Sequence, residues 1–220
     1  MQYSISNGPY HATLDLVLEQ DEEVLAEPDS MVAMSPNIEI SAKLTSQNAT
    51  RWWGSARPSV VGERIFTATF RAKDEGGVLC LAPRLPGNIL HLKNTDDSNF
   101  FLSQGSFLAS TPEVSITYKQ AGLRGIMSKK GLHVMQTEGA GDVFCSCHGA
   151  LLARELSDDE SFVVDNRFVV AFSENIQFQL IRASKDLMEG AYPGGGLVNQ
   201  YTGPGTVYYQ TRANPIAPMA

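Results

Sequence analysis

Two short sequence patterns each occur three times in this chain and alternate along it. The first, the alanine pattern, spans residues 30–40, 106–116 and 168–178. The three copies align without a gap, and each places an alanine and a short polar turn between two apolar stretches. Short apolar runs bounded by turn residues are typical of paired β-strands. The alanine pattern therefore predicts three strand–turn–strand segments.

The second, the glycine pattern, spans residues 74–81, 139–146 and 203–210. Glycines between short apolar runs predict tight hairpin turns, because glycine adopts a positive φ at little steric cost. A strand-like run follows each copy, whereas phosphate-binding glycine loops lead into a helix whose N-terminal amides hold the anion. We therefore interpret the glycine pattern as three hairpins and not as a nucleotide-binding loop.

The order of the two patterns suggests that the chain closes on itself. Because the first copy is an alanine pattern and the last a glycine pattern, we interpret them as halves of one unit that both termini complete. The predicted pseudo-repeats are residues 66–118, residues 132–180, and residues 197–212 together with 12–42. Closure of this kind removes two exposed sheet edges. The predicted fold is all-β: a closed double-stranded β-helix-like barrel or prism of three pseudo-repeats in a single domain, 1–220.

Alternation of apolar and polar residues supports the all-β prediction. Period-two segments, typical of half-buried antiparallel strands, are found at residues 12–18, 66–70, 132–136 and 197–201. Helix signals are weak, and the best short candidates are residues 119–130 and 182–190.

Composition narrows the classes of partner and the cellular location. The formal net charge of −7 argues against a broad nucleic-acid surface, because phosphate binding depends on clustered Lys and Arg. No stretch approaches the roughly 18 apolar residues of a spanning helix. Residues 1–10 are polar and do not resemble a signal peptide. An odd count of three cysteines does not suggest a disulfide framework. We expect a soluble, cytoplasmic protein that has no transmembrane segment and does not bind nucleic acid.

The segment Cys145-Ser146-Cys147-His148 invites a metal-binding interpretation. Zinc sites usually need four ligands, and no second ligand pair at a suitable spacing is present. The gapless alignment places Cys145 with Cys80 and with Tyr209, which is a choice of residues typical of packing. We predict buried thiols in apolar surroundings and no metal site.

No group of residues in the sequence suggests a catalytic centre or a cofactor site. The four histidines lack a serine-nucleophile motif or a second histidine at ligand spacing, so we expect structural or solvated roles. The acidic runs at residues 19–23, 94–97 and 157–160 lie between apolar segments and are interpreted as solvated turns. We predict no catalytic residue, no cofactor and no enzymatic activity.

The connector between the first alanine and glycine copies contains the best candidate for an interaction surface. It holds Arg51, Trp52, Trp53 and Arg57. Tryptophan and arginine are enriched among the residues that dominate the energy of protein interfaces. The alternative is that the two tryptophans fold back over the core as a lid, and the sequence favours neither interpretation.

Several longer motifs resemble a known family. They are residues 162–166 running into 169–172, residues 203–207 running into 210–212 and 214–215, residues 104–109, and Pro83-x-x-Pro86-Gly87. They are similar to the bacterial and fungal family named, in yeast, "altered inheritance of mitochondria, twenty-four", whose superfamily has a fold like the tryptophan RNA-binding attenuation protein. The resemblance covers nearly the whole chain.

The resemblance implies an all-β, double-stranded β-helix-like fold with internal pseudo-threefold symmetry. It does not imply an enzyme, since the biochemical function of the family is poorly defined, and the fungal members are associated with organisation of the mitochondrial inner membrane. RNA binding by the superfamily's namesake uses lysines repeated on each subunit, whereas the glycine patterns here carry Asp74, Asp142 and Thr206. The RNA activity is therefore not carried over.

Together these observations favour a non-enzymatic scaffold or protein-interaction module with a protein partner or self-association. One alternative is a small-ligand-binding protein that uses the pseudo-symmetric interior or a cleft between units. A further alternative is an enzyme of unknown type. A pocket with converging polar groups would favour the ligand-binding alternative.

Overall fold

The computed structural model describes residues 1–45, 65–121, 132–182 and 197–214. Throughout these residues the chain forms β-strands and short 3-10 turns, with no α-helix. The all-β prediction is confirmed. Of the two segments expected as short helices, residues 119–121 and 182 lie in strands, and the remainder falls outside the described residues.

The described residues 1–45 and 65–81, which we call the first section, contribute seven strands. They are β1 (Gln2–Ser6), β2 (Thr13–Leu18), β3 (Glu23–Ala26), β4 (Met31–Met34), β5 (Ile38–Thr45), β6 (Ile65–Ala72) and β7 (Gly77–Leu81). Strand β2 shows how the sequence specifies them, because its alternating Leu14, Leu16 and Leu18 are all fully buried. Strand β7 lies between β2 and β4, and β6 lies between β5 and β3.

The second and third sections contribute six strands each. The second section holds β8 (Gly87–Asn94), β9 (Phe100–Ser103), β10 (Phe107–Ser110), β11 (Ser115–Ala121), β12 (Leu132–Glu138) and β13 (Gly141–His148). The third holds β14 (Leu151–Leu156), β15 (Ser161–Val164), β16 (Val169–Ser173), β17 (Gln177–Arg182), β18 (Leu197–Thr202) and β19 (Gly205–Gln210). Strands two to seven of the first section pair in the same order as the six strands of each later section.

The strands form four antiparallel sheets. Sheet I is β1-β2-β7-β4, sheet II is β5-β6-β3-β10-β13-β8, sheet III is β11-β12-β9-β16-β19-β14, and sheet IV is β15-β18-β17. Sheets II and III each combine three strands from one section with three strands from the next. In each of these two sheets one strand pairing joins the two sections, β3 with β10 in sheet II and β9 with β16 in sheet III. We call these two pairings the seams.

Three apolar clusters fill the space between the sheets. The first cluster lies between sheets I and II, the second between sheets II and III, and the third between sheets III and IV. Strand β13 of sheet II is buried on both faces. Phe144 belongs to the first cluster, and Cys145 and Cys147 belong to the second. Each section therefore shares its core with its neighbour.

Each alanine pattern forms a strand, a tight turn and a second strand, as predicted. The strand pairs are β4–β5, β10–β11 and β16–β17. In each turn one amide donates to the carbonyl oxygen three residues earlier, at 3.1–3.2 Å, from Ile38, Val114 and Ile176. Each first strand also carries a bulge at its second residue, which shifts its register against the glycine hairpin.

The predicted closure through both termini is wrong in its strand pairing. Strand β19 pairs with β14 and β16 of its own section, and β2 pairs with β1 and β7. Each glycine hairpin pairs with the alanine pattern that precedes it, so neither terminus holds an unmatched half. Among the described strands, no sheet closes into a barrel.

The three sections meet at Gly87, just where β8 begins. Gly87 forms parallel bridges with His11 and with Gly149, which precede β2 and β14 respectively. A Cβ atom on Gly87 would lie 1.7 Å from the carbonyl oxygen of Cys147, so the junction admits only glycine.

Candidate interaction surfaces

The surface predicted from Arg51, Trp52, Trp53 and Arg57 lies outside the described residues. It stays a prediction. The described residues offer two other candidates, an open sheet edge and an acidic cleft.

The open edge is strand β4. In the described part of the chain it pairs with β7 on one side and forms the edge of sheet I. All four of its residues are exposed, and the exposed fraction of Val32 is 60%. The residues at the same place in the other two alanine patterns, Leu108 and Val170, are 0% exposed. The difference arises because β10 and β16 have a seam partner and β4 has none among the described strands.

Burial at the seams shows what such an edge strand can do. Leu108 and Ala109 belong to the second section but lie in the first cluster. Val170 and Ala171 belong to the third section but lie in the second cluster. An alanine-pattern strand therefore completes the core of the section before it.

Strand β15 is the opposite edge. Of the strands that the structure describes, β18 is its one partner, at the border of sheet IV. Val163 on this strand is exposed, while Val164 is buried in the third cluster. Several aromatic residues around this cluster are only partly buried: Phe162, Phe168, Phe178 and Tyr209. The third cluster is thus less completely covered than the other two.

The second candidate begins with a hydrogen-bonded chain of side chains between the first and second sections. The Tyr3 hydroxyl lies 3.0 Å from His91 Nδ1, and His91 Nε2 lies 2.7 Å from Asp142 Oδ1. Lys93 Nζ donates to both Asp142 oxygens at 3.1 Å. Phe144 packs against the rings of Tyr3 and His91.

These contacts fix the charge of Asp142. Burial would raise the pKa of Asp142, but hydrogen bonds from His91 and Lys93 and the Lys93 charge outweigh it and lower the pKa. His91 was expected to be structural or solvated, and the structure places it as the bridge between Tyr3 and Asp142. Asp142 and Lys93 lie opposite each other on β13 and β8, so the strand register brings their charges together.

Asp142 also lines a cleft of about 510 Å³ between the first two sections. The cleft is lined by Met1, Asp21, Glu22, Glu23, Thr111, Pro112, Glu113 and Asp142. The N-terminal amino group pairs with Glu22, and this hydrogen bond lowers the pKa of the Glu22 carboxyl. Arg71 pairs with Asp21 at 2.7 Å. Carboxylates outnumber cationic groups in this cleft, which suits a cationic ligand.

Strand pairing corrects the predicted equivalence of Cys80 and Cys145. Pairing with the alanine-pattern strands places Leu79 opposite Met34, Val143 opposite Ser110 and Val207 opposite Phe172. The gapless alignment of the glycine pattern was therefore one residue out in the first copy. Cys145 corresponds to Leu81 and Tyr209, and Cys80 corresponds to Phe144 and Tyr208.

The environments of the thiols follow this corrected register. Cys145 and Cys147 are buried, and burial raises the pKa of both, that of Cys147 to about 12. Cys80 is half-buried, and burial together with a hydrogen bond to Asp15 raises its pKa to about 11. In the part of the chain that the structure describes, no three His, Cys, Asp or Glu side chains are grouped so that they could hold a metal.

His148 lies on the other face of β13 from the two thiols, as its position predicts. Its buried Nδ1 atom has no hydrogen-bond partner among the described residues, and burial lowers the pKa of its imidazole. Its backbone amide donates to Gln210 Oε1 at 2.8 Å. His148 therefore has a structural position at the junction of the second and third sections.

Comparison with known proteins gives the family. The family model described as mitochondrial biogenesis AIM24 matches residues 3–212. The chain belongs to the AIM24 family. A protein of Streptococcus pyogenes serotype M6, described as uncharacterized, is 28% identical over 216 residues, which are 96% of this chain and 86% of that protein.

A solved structure supports the AIM24 fold. The crystal structure of a Streptococcus pyogenes protein matches with a TM-score of 0.75 and 26% sequence identity, covering 96% of this chain and 94% of that chain. The resemblance inferred from residues 162–172 and 203–215 is thereby confirmed at the level of the family. No helix in the described residues of this AIM24 protein is long and apolar enough to cross a membrane.

Proposed function

We propose that this AIM24 protein is a non-enzymatic scaffold that binds a protein partner through the open edge of β4. The observation that carries the proposal is the exposure of Val32 where Leu108 and Val170 are fully buried. An edge strand offers unpaired backbone N–H and C=O groups to an incoming strand, and alternate side chains give specificity.

Strand β4 lacks two of the devices that disfavour such pairing, a charged side chain and a proline. Natural edge strands are often protected by charged residues or proline. The residues of β4 are Met31, Val32, Ala33 and Met34, with no charge and no proline. The two seams show that strands of the same pattern bury their apolar side chains in a neighbouring core.

The proposal extends to the architecture and location of the protein. We take the three sections as three copies of one unit with pseudo-threefold character, arranged as in the superfamily of the tryptophan RNA-binding attenuation protein. The unit consists of six consecutive strands, in place of the circular arrangement predicted from motif order. A cytoplasmic location is supported by the three free thiols, which suit a reducing compartment. The net charge of −7 supports a partner other than nucleic acid.

Site-specific crosslinking tests the proposal. A photo-crosslinking residue is introduced at Val32, and a control is introduced at Val17, which is also exposed on sheet I but lies on the central strand β2. We expect discrete crosslinked products in the host cell from position 32 and not from position 17. Equal crosslinking at both positions, or none at position 32, would contradict the proposal.

A second candidate function is binding of a small cationic ligand in the acidic cleft. The observation that favours it is a volume of about 510 Å³ between two sections, lined mainly by carboxylates. Ligand pockets generally measure about 300–1,000 Å³ and carry a few fixed polar groups. Asp142, held by hydrogen bonds from His91 and Lys93, supplies one such group in the lining of the cleft.

Calorimetry with a polyamine such as spermidine tests this candidate. Glu113→Gln removes one carboxylate from the cleft, and Glu155→Gln removes an exposed carboxylate on β14 as a matched control. We expect saturable binding that is weakened by Glu113→Gln and unchanged by Glu155→Gln. Equal weakening in both variants would indicate nonspecific charge attraction and reject the cleft as a site.

A further inference from the structure

The two seams within the chain follow one geometric rule. At the first seam, Ala26 of β3 lies opposite Ala109 of β10. At the second, Leu102 of β9 lies opposite Ala171 of β16. Both seams are antiparallel, and in both the second strand comes from the alanine pattern of the following section. A chain of three sections has two such seams and leaves one edge of each kind open.

The open edges are β15 and β4. Strand β15 occupies in the third section the place of β3 and β9, because it is the second strand of its section and pairs with the fifth, β18. Strand β4 occupies in the first section the place of β10 and β16. Among the described strands each of these two edges is bonded to one neighbour, so each lacks there the partner that its counterparts have.

The composition of the third cluster also differs from that of the other two. The first cluster includes Leu108 from the next section, and the second includes Val170 from the next section. In the described residues of the third cluster, every member comes from the second or third section. An apolar residue at the place of Leu108 and Val170 is therefore missing from it, and Val32 of β4 is the exposed residue of that kind.

We propose that β4 of a second copy of this chain pairs with β15, forming a third seam between molecules. The inference rests on the proposed function, of which it names the partner. The first two seams determine the register: Phe162 lies opposite Tyr201 as Val24 lies opposite Phe70. Val164 therefore stands at the place of Ala26, and it faces Ala33 of the second copy.

The chemistry of the partner strand identifies a second copy rather than an unrelated protein. The strand needs a small residue opposite Val164, an apolar residue directly before it that enters the third cluster, and a bulge between them. Strand β4 has Val32, then Ala33, and its register shifts between Met31 and Ala33. The same shift occurs between Phe107 and Ala109 and between Val169 and Ala171.

The contact is head-to-tail, because the two surfaces that meet differ. Each copy brings one β4 edge and one β15 edge, so assembly proceeds to a ring or to an open chain of copies. If the same edge is blocked in every copy, no contact can form. If β4 is blocked in one copy and β15 in another, the free β15 of the first can still pair with the free β4 of the second, which permits one contact. This asymmetry gives a test that nonspecific association cannot satisfy.

The test uses Val32→Lys, Val163→Lys and the control Val17→Lys. The exposed fractions of these valines are 60%, 48% and 50%, so a lysine at each position is compatible with folding. Lysine on an edge strand disfavours pairing. Molar mass is measured by light scattering on a sizing column, with circular dichroism as a check of folding. We expect the unchanged chain and Val17→Lys to form assemblies of at least twice 23.9 kDa. Each edge variant alone should be a monomer.

An equimolar mixture of Val32→Lys and Val163→Lys should give a species of two chains and nothing larger. A monomeric unchanged chain, edge variants that assemble like it, or a mixture that stays monomeric would each overturn the proposal. If the unchanged chain is monomeric but position 32 still crosslinks to another protein, the second-copy inference fails and the scaffold function stands. Crosslinking from position 32 to β15 of the same chain would instead show closure within one molecule.

Discussion

Strands β4 and β16 have the same local design and opposite environments. Each carries a bulge before its alanine, each leads into a turn with the same backbone hydrogen bond, and each pairs with the glycine hairpin of its own section. Val32 is exposed on β4, and Val170 is fully buried on β16. The neighbouring section, and not the sequence of the strand itself, therefore determines whether the valine before the alanine is part of a core.

Truncating the same residue type in the two strands gives the largest expected contrast. Val170→Ala should lower the free energy of unfolding by about 1.5–3 kcal/mol, because it removes buried methyl groups and leaves a cavity. Val32→Ala should change it by less than about 0.5 kcal/mol, as for most surface substitutions. Urea denaturation at low protein concentration measures both. A similar cost at the two positions would show that β4 is covered within a single chain.

The buried thiol of Cys145 on β13 and the half-buried thiol of Cys80 on β7 allow a second comparison. Cys145→Ser should cost about 1–3 kcal/mol, because a hydroxyl is placed in the apolar second cluster. Cys80→Ser should cost less than about 0.5 kcal/mol, because Cys80 is half-buried beside Asp15. Urea denaturation of both variants, with thiol labelling before and after unfolding, measures this. Faster labelling of Cys145 than of Cys80 in the folded protein would contradict the corrected register.

The sequence predicted the strands well because their signals are local. Alternation in β2 and the strand–turn–strand form of the alanine pattern depend on residues close together in the chain. Which units pair is not local: motif order alone does not say whether a glycine hairpin joins the alanine pattern before it or the one after it. The long connectors, at residues 46–64, 122–131 and 183–196, lie inside the sections and were mistaken for boundaries between them.

The register error has a similarly specific cause. Gly76 and Gly77 are adjacent, and a valine follows them as a valine follows Asp142 and Thr206. The alignment therefore matched the valines, whereas strand pairing matches Leu79 to Val143. Because side chains alternate across a strand, a slip of one residue exchanges the buried and exposed faces, and it placed the half-buried Cys80 at the site of Cys145.

The candidate surfaces were less accessible to sequence reasoning. Met31–Met34 is as apolar as the buried strands, so composition alone does not reveal it as an edge. Tyr3 and His91 are 88 positions apart, and only the fold brings their side chains together. The surface that the sequence did suggest, around Trp52, lies outside the described residues.

The three glycine hairpins allow a finer comparison. In each, a backbone amide donates to a hydroxyl oxygen of the alanine-pattern turn: Val78 to Ser35 at 2.9 Å, Asp142 to Thr111 at 3.1 Å, and Thr206 to Ser173 at 3.0 Å. The backbone bond is shared, and only the second hairpin adds a carboxylate at this place, paired with His91 and Lys93.

Replacing that carboxylate should have the smallest effect of the three. Asp142→Asn keeps the backbone bond but loses the ion pair with Lys93, and ion pairs to an exposed side chain contribute about 0.2–1 kcal/mol. The pKa of Asp142 is lower in the folded protein, so its contribution is fully present above the unfolded value of about 3.9 and is lost as pH falls through the folded value. The difference between the original chain and Asp142→Asn should therefore be present at pH 7 and shrink below about pH 4. Urea denaturation across this range, with exposed Asp97→Asn as the control, measures it. A difference that stays constant to the acid end would assign the effect to packing of the side chain and not to its charge.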